Sequence, residues 1–232
     1  MSSPSGSAER AAAVVPAWNE EKTVGAVVRV LKAVPGIDEV IVVDDGSTDR
    51  TAAEAAAAGA DQVLKLPGNL GKGGALQKGV QAASAEILFF CDADFLGLTP
   101  AHVERLLAPV REGRYVMLTG ERDRGPLLAP LLERLPHIAG ERALKREVFE
   151  GVPPRFLSRF RVEIALDWFC RVNRLPFGAI PTVGITHVRK MQKVGFLRGL
   201  AAYAAMIAEI VSAFVAVRMA KAEFLKQEKN AH

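Results

Sequence analysis

Cysteine is scarce in this sequence, which holds only Cys91 and Cys170 among its 232 residues. Two thiols are too few for the disulfide framework of a small secreted domain or for the four ligands of a structural zinc site. We therefore expect a cytoplasmic chain, kept in a reducing environment, in which both thiols are buried.

Charge of one sign is not in large excess either. The 30 basic and 26 acidic residues give a net charge of +4, and the two signs are mixed along most of the chain. This balance argues against a nucleic-acid partner. It suits a protein that binds anionic small molecules or touches an anionic membrane surface.

The first ten residues, 1–10, lack the cationic and apolar segments of a secretory signal and are rich in Ser, Gly and Pro. We expect a disordered tail there. Internal repeats are absent as well. Half of the residues are hydrophobic, which is enough for one well-cored domain over residues 11–195, followed by a helical extension over residues 196–232.

Short apolar runs alternate with helical patterns through the first half of the domain. Such runs are typical of strands buried on both faces, and they occur at Ala11–Val15, Val40–Val43, Val63–Leu66 and Ile87–Phe90. The alternation predicts an α/β fold with a parallel, doubly wound sheet. Pro16 is expected to end the first strand, and Asn19 to cap a helix from about Glu20 to Ala33.

Three polar loops, around Asn19, Asp45 and Asp92, follow three of these strands. In doubly wound sheets, ligands bind at the carboxyl ends of the strands. We therefore expect the three loops to form one binding site. We expect these loops to lie in the first half of the domain, residues 11–110, and residues 111–195 to form the second half.

Asp92 and Asp94 follow the buried run Ile87–Phe90 and are one residue apart. In extended chain both carboxylates point to the same side, where they repel each other unless a cation lies between them. A hard divalent cation such as Mg²⁺ or Mn²⁺, holding a phosphate on its far side, fits this arrangement. The alternative is a polar loop with two solvated acids.

Two further loops carry both a structural and a functional interpretation. Asp44-Asp45 is either an N-cap and turn or a pair of acceptors for ribose hydroxyls and a base edge. The segment Gly68–Gly74 is either a flexible surface loop or a phosphate-binding loop in which Lys72 supplies a cation at a helix start.

Other nucleotide and phosphate motifs are missing. A dinucleotide-binding dehydrogenase needs G-x-G-x-x-G after its first strand, where this chain has Pro16-Ala-Trp-Asn19. A phosphatase of the haloacid dehalogenase type needs Thr or Val two residues after the second Asp, where this chain has Leu96. A catalytically inactive sugar-nucleotide-binding module would be expected to lose the metal carboxylates, and both are present.

Taken together, four motifs resemble the GT-A fold glycosyltransferases of family 2. They are Pro16–Glu21 (PAWNEE), Val42–Asp49 (VVDDGSTD), Asn69–Leu76 (NLGKGGAL) and Cys91–Asp94 (CDAD). Their order and spacing are similar to those of the branch that contains polyprenyl- and dolichyl-phosphate sugar synthases and glucosyl-3-phosphoglycerate synthases. The resemblance covers roughly Ala11 to Pro109 and becomes thinner beyond.

The resemblance implies a GT-A fold, a UDP- or GDP-sugar donor and a Mg²⁺ or Mn²⁺ cofactor. Residues of the first two loops would hold the nucleoside: Ala17, Glu20 and Asp45, with Pro16, Asn19 and Asp44 close by. Residues of the later loops would lie along the nucleotide: Lys72, Asp92 and Ala93. Asp94 would bind the metal together with Asp92. Phe95-Leu96-Gly97 stands where lipid-phosphate members often have Gln, and His187 would then supply the third metal ligand. The alternative for His187 is a surface or core histidine.

On the acceptor side, Gly140–Leu144 and Val162–Leu166 resemble segments of the same branch. The resemblance implies a phosphate-bearing acceptor, either polyprenyl phosphate or a small phosphorylated acid, and inversion at the anomeric carbon. Cations after the donor half would hold that phosphate: Arg142, Arg189 and Lys190, with Lys193 near them. Their alternative is a solvated basic face. An acceptor hydroxyl would need a base, for which Glu163 and Glu141 are the candidates.

Residues 199–217 form a long apolar helical pattern with a single charge, Glu209. At 1.5 Å per residue the pattern spans about 28 Å, which is marginal for a bilayer. Three alternatives follow: a helix buried against the domain or a dimer partner, a helix over residues 196–218 at the inner membrane surface, and a true span. The first is favoured, because its Ala-rich face suits close packing.

Overall fold

The computed structural model describes residues 9–122, 139–158, 161–182, 184, 186–187 and 212–225. Within them, seven strands form one sheet and two short strands form a separate ribbon. The sheet strands are β1 (Ala11–Ala17), β2 (Glu39–Asp44), β3 (Gln62–Lys65), β4 (Ile87–Phe90), β6 (Met117–Arg122), β7 (Arg142–Lys145) and β8 (Phe177–Thr182). The ribbon pairs β5 (Phe95–Leu96) with β9 (Thr186–His187).

Helices cover both faces of the sheet. One face carries α1 (Val24–Lys32), α2 (Thr51–Ala57) and α4 (Pro100–Arg111). The other carries α3 (Gly71–Ala82), α5 (Arg146–Glu150), α6 (Arg161–Val172), α7 (residues 212–219) and α8 (Lys221–Phe224). Each face buries its own hydrophobic core, as expected for a doubly wound α/β domain.

The strand order is β3-β2-β1-β4-β7-β6-β8. All neighbours are parallel except β7, which runs antiparallel to both β4 and β6. The predicted mostly parallel sheet is confirmed. Its apolar strands are continuous because both faces are covered: Leu88 and Phe90 enter one core, and Ile87 and Phe89 enter the other.

The prediction that Pro16 ends β1 is wrong, since the strand continues to Ala17. Alternate residues of a central parallel strand bond to opposite neighbours. The carbonyl of Ala17 accepts a hydrogen bond from the N–H of Asp45 (2.8 Å) on the β2 side. Pro16 therefore turns toward β4, whose pairing with β1 ends at Val14. Its missing N–H costs no ladder hydrogen bond.

The predicted N-cap at Asn19 is also wrong. Helix α1 begins at Val24, and Thr23 precedes it without a side-chain cap. Asn19 instead has φ of +55°, a left-handed conformation that Asn tolerates better than most residues. Its N–H donates to Ser47 Oγ (2.9 Å), and its Oδ1 accepts from the N–H of Thr48 (2.9 Å). Asn19 thus joins the loops after β1 and β2.

The direction of chain winding reverses at β1. The chain moves outward from β1 to β3 and then crosses to β4 on the other side of β1. Ligands of open α/β sheets bind at such a switch point. Helix α3 lies close to this edge because Gly79 faces Val14 of β1, where a Cβ would overlap the Val14 side chain.

Residues 212–225 pack against α6 and the short turn that precedes it. Val217 and Phe224 are fully buried, and the Phe224 ring centroid lies 4.9 Å from that of Phe156. Over the residues it covers, this placement agrees with the favoured alternative of a helix buried against the domain; residues 196–211 lie outside the described residues. In the described part of the chain, no helix is long and apolar enough to cross a bilayer.

Candidate active site

Three charged side chains from distant parts of the chain meet at the carboxyl edge of the sheet. Lys72 lies in the first turn of α3, Asp92 follows β4, and Glu163 lies in the first turn of α6. The Lys72 ammonium is 2.7 Å from Asp92 Oδ1 and 2.6 Å from Glu163 Oε1. Lys72 and Asp92, which the sequence assigns to the donor side, therefore contact Glu163, which it assigns to the acceptor side.

This charge cluster is largely shielded from water. Burial alone lowers the pKa of Lys72, but the attraction of Asp92 and Glu163 outweighs it and holds that pKa above its ordinary value. A raised lysine pKa keeps the ammonium charged as pH rises past the value at which a solvated lysine would lose its proton. Lys72 is therefore a permanent positive charge at physiological pH.

Glu163 uses one carboxylate oxygen and leaves the other unpaired. Its Oε1 holds Lys72, while its Oε2 is buried and has no hydrogen-bond partner within the described residues. A buried carboxylate oxygen without a partner is unfavourable. A hydrogen-bond donor that reached this oxygen would satisfy it.

Asp92 and Asp94 are partly exposed, whereas Cys91, Ala93 and Phe95 between and beside them are buried. Asp94 lies in a turn rather than in extended chain, and the prediction that both carboxylates face the same side stays a prediction. Ala93, predicted to lie along the nucleotide, has its side chain in the core, so only its backbone can reach a ligand. Both cysteines are buried, as predicted, and no disulfide joins them.

Strand pairing brings the predicted third metal ligand to this site. In the β5–β9 ribbon, His187 is the register partner of Phe95, which directly follows Asp94. The position of the imidazole lies outside the described side chains, and no three His, Cys, Asp or Glu side chains among those described are close enough to hold a metal. Two carboxylates and an imidazole suit Mg²⁺ or Mn²⁺. In this structure Asp92 contacts the Lys72 ammonium.

Gly140 packs directly against the Asp92 carboxylate. A Cβ at this position would overlap Asp92 Oδ2 and would lie 3.0 Å from the Phe95 ring. The sequence places Gly140 in a motif but assigns it no role. The structure shows why the position excludes a side chain: the backbone before β7 forms one wall around Asp92.

Gly140→Ala is expected to weaken metal-dependent binding of UDP about tenfold, because the added methyl must push the Asp92 carboxylate aside. Overpacking of this kind costs about 1–3 kcal/mol. Calorimetric titration with UDP and Mn²⁺ measures the change. The matched control is Gly178→Ala, where a Cβ meets its neighbours at an ordinary 3.6 Å. Equal UDP affinity in Gly140→Ala and wild type would contradict the assignment of this wall.

Asp45 organises the glycine-rich loop rather than standing open to a nucleoside. Its Oδ1 accepts from the N–H of Leu70 (2.7 Å) and its Oδ2 from the N–H of Gly71 (2.8 Å). Gly46, with φ of +76°, lies against the backbone of Gly68, where a Cβ would be too close. Asp45 thereby caps the start of α3 and positions Lys72.

Asp44 is a turn residue. It is 1% exposed, and its Oδ1 accepts from the N–H of Ser47 (2.9 Å). Its Oδ2 is buried and has no hydrogen-bond partner among the described residues, and the contact of Asp44 with a nucleoside stays a prediction. Glu20 is partly exposed, with its N–H bound to Thr51 Oγ1 (2.8 Å). Sequence reasoning missed Ser47 and Thr51, which hold the first loop against the second.

Arg142 is not free to bind an acceptor phosphate. Its side chain is 2% exposed and lies 3.2 Å from the Asp167 carboxylate. Its Nη1 also donates to the backbone carbonyl of Glu163 (3.4 Å). This corrects the prediction that Arg142 contacts the acceptor: the guanidinium ties β7 to α6 and positions Glu163.

The other predicted acceptor residues divide into two groups. Glu141 is 4% exposed and accepts a hydrogen bond from the Thr182 hydroxyl (2.9 Å), and its role as a candidate base stays a prediction. The cations predicted to hold a phosphate beside Arg142 lie outside the described residues: Arg189, Lys190 and Lys193.

Comparison with known proteins gives consistent relatives. Residues 12–164 match the model of the family described as Glycosyl transferase family 2. The chain is 35% identical over 187 residues to glucosyl-3-phosphoglycerate synthase of Mycolicibacterium smegmatis, covering 66% of this chain and 61% of that protein. It is 33% identical over 211 residues to the Mycobacterium tuberculosis protein of the same name, covering 74% and 64%.

The fold agrees with that relationship. The crystal structure of Mycobacterium tuberculosis glucosyl-3-phosphoglycerate synthase with Mn²⁺, UDP-glucose and phosphoglyceric acid superposes with a TM-score of 0.74 at 29% identity. The superposition covers 90% of this chain and 79% of that one. The chain spans a little over three fifths of the length of the two curated relatives named above. Its strand order, its D-x-D segment and the family match over 12–164 together place it: the chain belongs to glycosyl transferase family 2 and has the GT-A fold.

Proposed function

We propose that the chain transfers a glucosyl group from UDP-glucose to the hydroxyl of 3-phosphoglycerate, with Mn²⁺ or Mg²⁺ as cofactor. The observation that carries the proposal is the contact of Lys72 with both Asp92 and Glu163 at the switch point of the sheet. The names of the relatives supply the substrates: UDP-glucose and phosphoglyceric acid are bound in the Mycobacterium tuberculosis structure.

On the donor side, the residues that would hold the metal are Asp92, Asp94 and His187. A divalent cation there stabilises the negative charge of the departing nucleoside diphosphate as a Lewis acid. Lys72 supplies a second positive charge beside it. The backbone bonds from Leu70 and Gly71 to Asp45 hold that lysine at the start of α3.

On the acceptor side, the chemistry of the substrate decides what the protein must do. The phosphate and the carboxylate of 3-phosphoglycerate are ionised near neutral pH, so its hydroxyl is the oxygen that loses a proton when the new bond forms. Glu163 has a buried oxygen, Oε2, without a partner in the described part of the chain. Its other oxygen is bound to Lys72.

The resemblance implies inversion at the anomeric carbon, and this stays a prediction. Inversion of an α-linked donor needs a base on the face opposite the leaving group, and the lysine-bound Glu163 is the described candidate. The coupling constant of the anomeric proton of the product, measured by NMR, reports the configuration. A large coupling supports inversion, and a small coupling contradicts it.

The test of the proposed function is transfer by the purified chain with each donor and acceptor class. With Mn²⁺, UDP-glucose and 3-phosphoglycerate are expected to give a glucosylated phosphoglycerate and UDP, and chelation by EDTA is expected to abolish the reaction. GDP-glucose in place of UDP-glucose tests which nucleotide base the donor carries. Polyprenyl phosphate in detergent tests whether the acceptor is a lipid. Transfer to polyprenyl phosphate but not to 3-phosphoglycerate would overturn the choice of acceptor.

We also propose that the domain has a donor half, residues 11–110, and an acceptor half, residues 111–195. Residues 196–232 would form a helical extension, and the protein would be a homodimer. Contact of residues 196–218 with a membrane surface remains the competing prediction for the extension. Two apolar side chains of the docked segment, Val215 and Met219, are exposed. Sedimentation of the full chain with and without anionic vesicles separates a dimer from a membrane-bound protein.

A further inference from the structure

Lys72 contacts a carboxylate, that of Asp92, which the proposed function needs as a ligand of the divalent cation. Its ammonium lies 2.7 Å from Asp92 Oδ1, and Asp92 is one of the two carboxylates proposed to hold the metal. A divalent cation at Asp92 would lie a few ångströms from this ammonium. In a shielded site such a pair of positive charges repels strongly.

The two carboxylates that contact Lys72 differ in how far they are exposed to water. The Glu163 side chain is 6% exposed and lies 2.6 Å from the ammonium, whereas the Asp92 side chain is 25% exposed. Arg142 fixes the backbone of Glu163 through its carbonyl. Lysine carries its charge on a flexible four-carbon stem, so the ammonium can leave Asp92 while it stays beside Glu163.

We infer that Lys72 is an exchangeable counter-ion: it neutralises Asp92 in the free protein and moves to the donor diphosphate when a divalent cation takes Asp92. The inference rests on the proposed function and deepens it. The metal alone meets a site that already holds a positive charge. The diphosphate brings negative charge for both cations, so the metal and the nucleotide each raise the affinity for the other, by the same factor.

The experiment measures Mn²⁺ binding by electron paramagnetic resonance, with and without UDP, in wild type and Lys72→Met. Without UDP, Lys72→Met is expected to bind Mn²⁺ at least about tenfold more tightly, since the competing charge is gone. UDP is expected to raise Mn²⁺ affinity in wild type by a factor at least about tenfold larger than in Lys72→Met. The control is Lys78→Met, an exposed lysine of the same helix, which is expected to match wild type.

Lys72→Met leaves the Glu163 carboxylate buried without its cation, so a second variant guards against misfolding. The double variant Lys72→Met/Glu163→Gln removes one charge of each sign and keeps the net charge of wild type. It too is expected to bind Mn²⁺ alone more tightly than wild type, because Asp92 is released in both variants. Circular dichroism and thermal melting confirm that each variant is folded.

The outcomes separate the inference from the proposed function. If Mn²⁺ alone binds the two Lys72 variants no more tightly than wild type, or if UDP enhances Mn²⁺ binding equally in all of them, Lys72 is not the exchangeable counter-ion. If wild type binds Mn²⁺ but fails to bind UDP, UDP-glucose and GDP-glucose in its presence, the proposed function itself is overturned.

Discussion

Replacing Asp94 by alanine is expected to lower kcat/KM for glucosyl transfer at least about a thousandfold and to abolish the dependence of UDP binding on Mn²⁺. Asp94 is one of the two carboxylates that follow β4. The metal that it would help to hold would stabilise the negative charge of the departing diphosphate by several kcal/mol. A loss of about 4 kcal/mol corresponds to a thousandfold in rate. Steady-state kinetics and calorimetric titration of UDP at several Mn²⁺ concentrations measure the two effects.

The fold is expected to survive this change, because Asp94 is partly exposed at the edge of the sheet. The matched control is Glu112→Ala, which removes an exposed carboxylate whose partner is Arg114 on the surface. Its kinetics and its UDP binding are expected to equal those of wild type. An Asp94→Ala protein that bound UDP with unchanged metal dependence would show that the metal lies elsewhere.

The second large effect is on stability. Arg142→Met is expected to lower the free energy of unfolding by about 3–5 kcal/mol, because it removes a positive charge that lies against the buried Asp167 carboxylate. Asp167 is 3% exposed, and the guanidinium lies 3.2 Å from it. Urea denaturation followed by circular dichroism measures the change as a shift in midpoint at constant slope.

Two comparisons make this result specific. Arg114→Met, which breaks the surface pair with Glu112, is expected to cost less than about 1 kcal/mol. The double variant Arg142→Met/Asp167→Leu is expected to recover most of the loss, since no buried charge is then unpaired. If Arg142 contacted the acceptor instead, Arg142→Met would raise KM for 3-phosphoglycerate with unchanged stability.

Sequence patterns were reliable where an element depends on its own neighbours in the chain. The run Ile87–Phe90 is apolar at every position because the strand is covered on both faces, and a continuous apolar run of this length is typical of such a strand. The start of α4 was also predictable. Thr99 precedes Pro100, and its hydroxyl accepts the hydrogen bond of the His102 N–H (3.3 Å). The signals for both elements are therefore local.

The failed expectations share a different property. Pro16 stays within β1 because the side of the strand that its backbone nitrogen faces is not paired at this position. That side is unpaired because the pairing with β4 ends at Val14. Asn19 does not cap α1 because the loop after β2 supplies it with partners at Ser47 and Thr48. A residue with good capping chemistry can bond across to another loop as well as along its own helix. Sequence spacing alone does not decide between the two.

Charged residues were the hardest to assign from sequence. Arg142 and Lys72 both stand in motifs that suggest contact with phosphate. The structure buries Arg142 beneath α6 with a carboxylate partner, whereas it leaves Lys72 at the edge of the site between two carboxylates. Whether a cation serves stability or a ligand depends on its burial and its partners, which come from distant segments.

By itself, the sequence determined that this chain folds as a mostly parallel α/β sheet and that polar loops follow β1, β2 and β4 at their carboxyl ends. Both follow from short-range patterns of apolar strands, helix starts and turn residues. Only the tertiary structure decided that Glu163 contacts Lys72 and that Asp45 caps α3. It also decided that Gly140 packs against Asp92 and that Arg142 is buried. Those contacts join residues far apart in the chain, and long-range packing rather than local preference selects the partner of each charge.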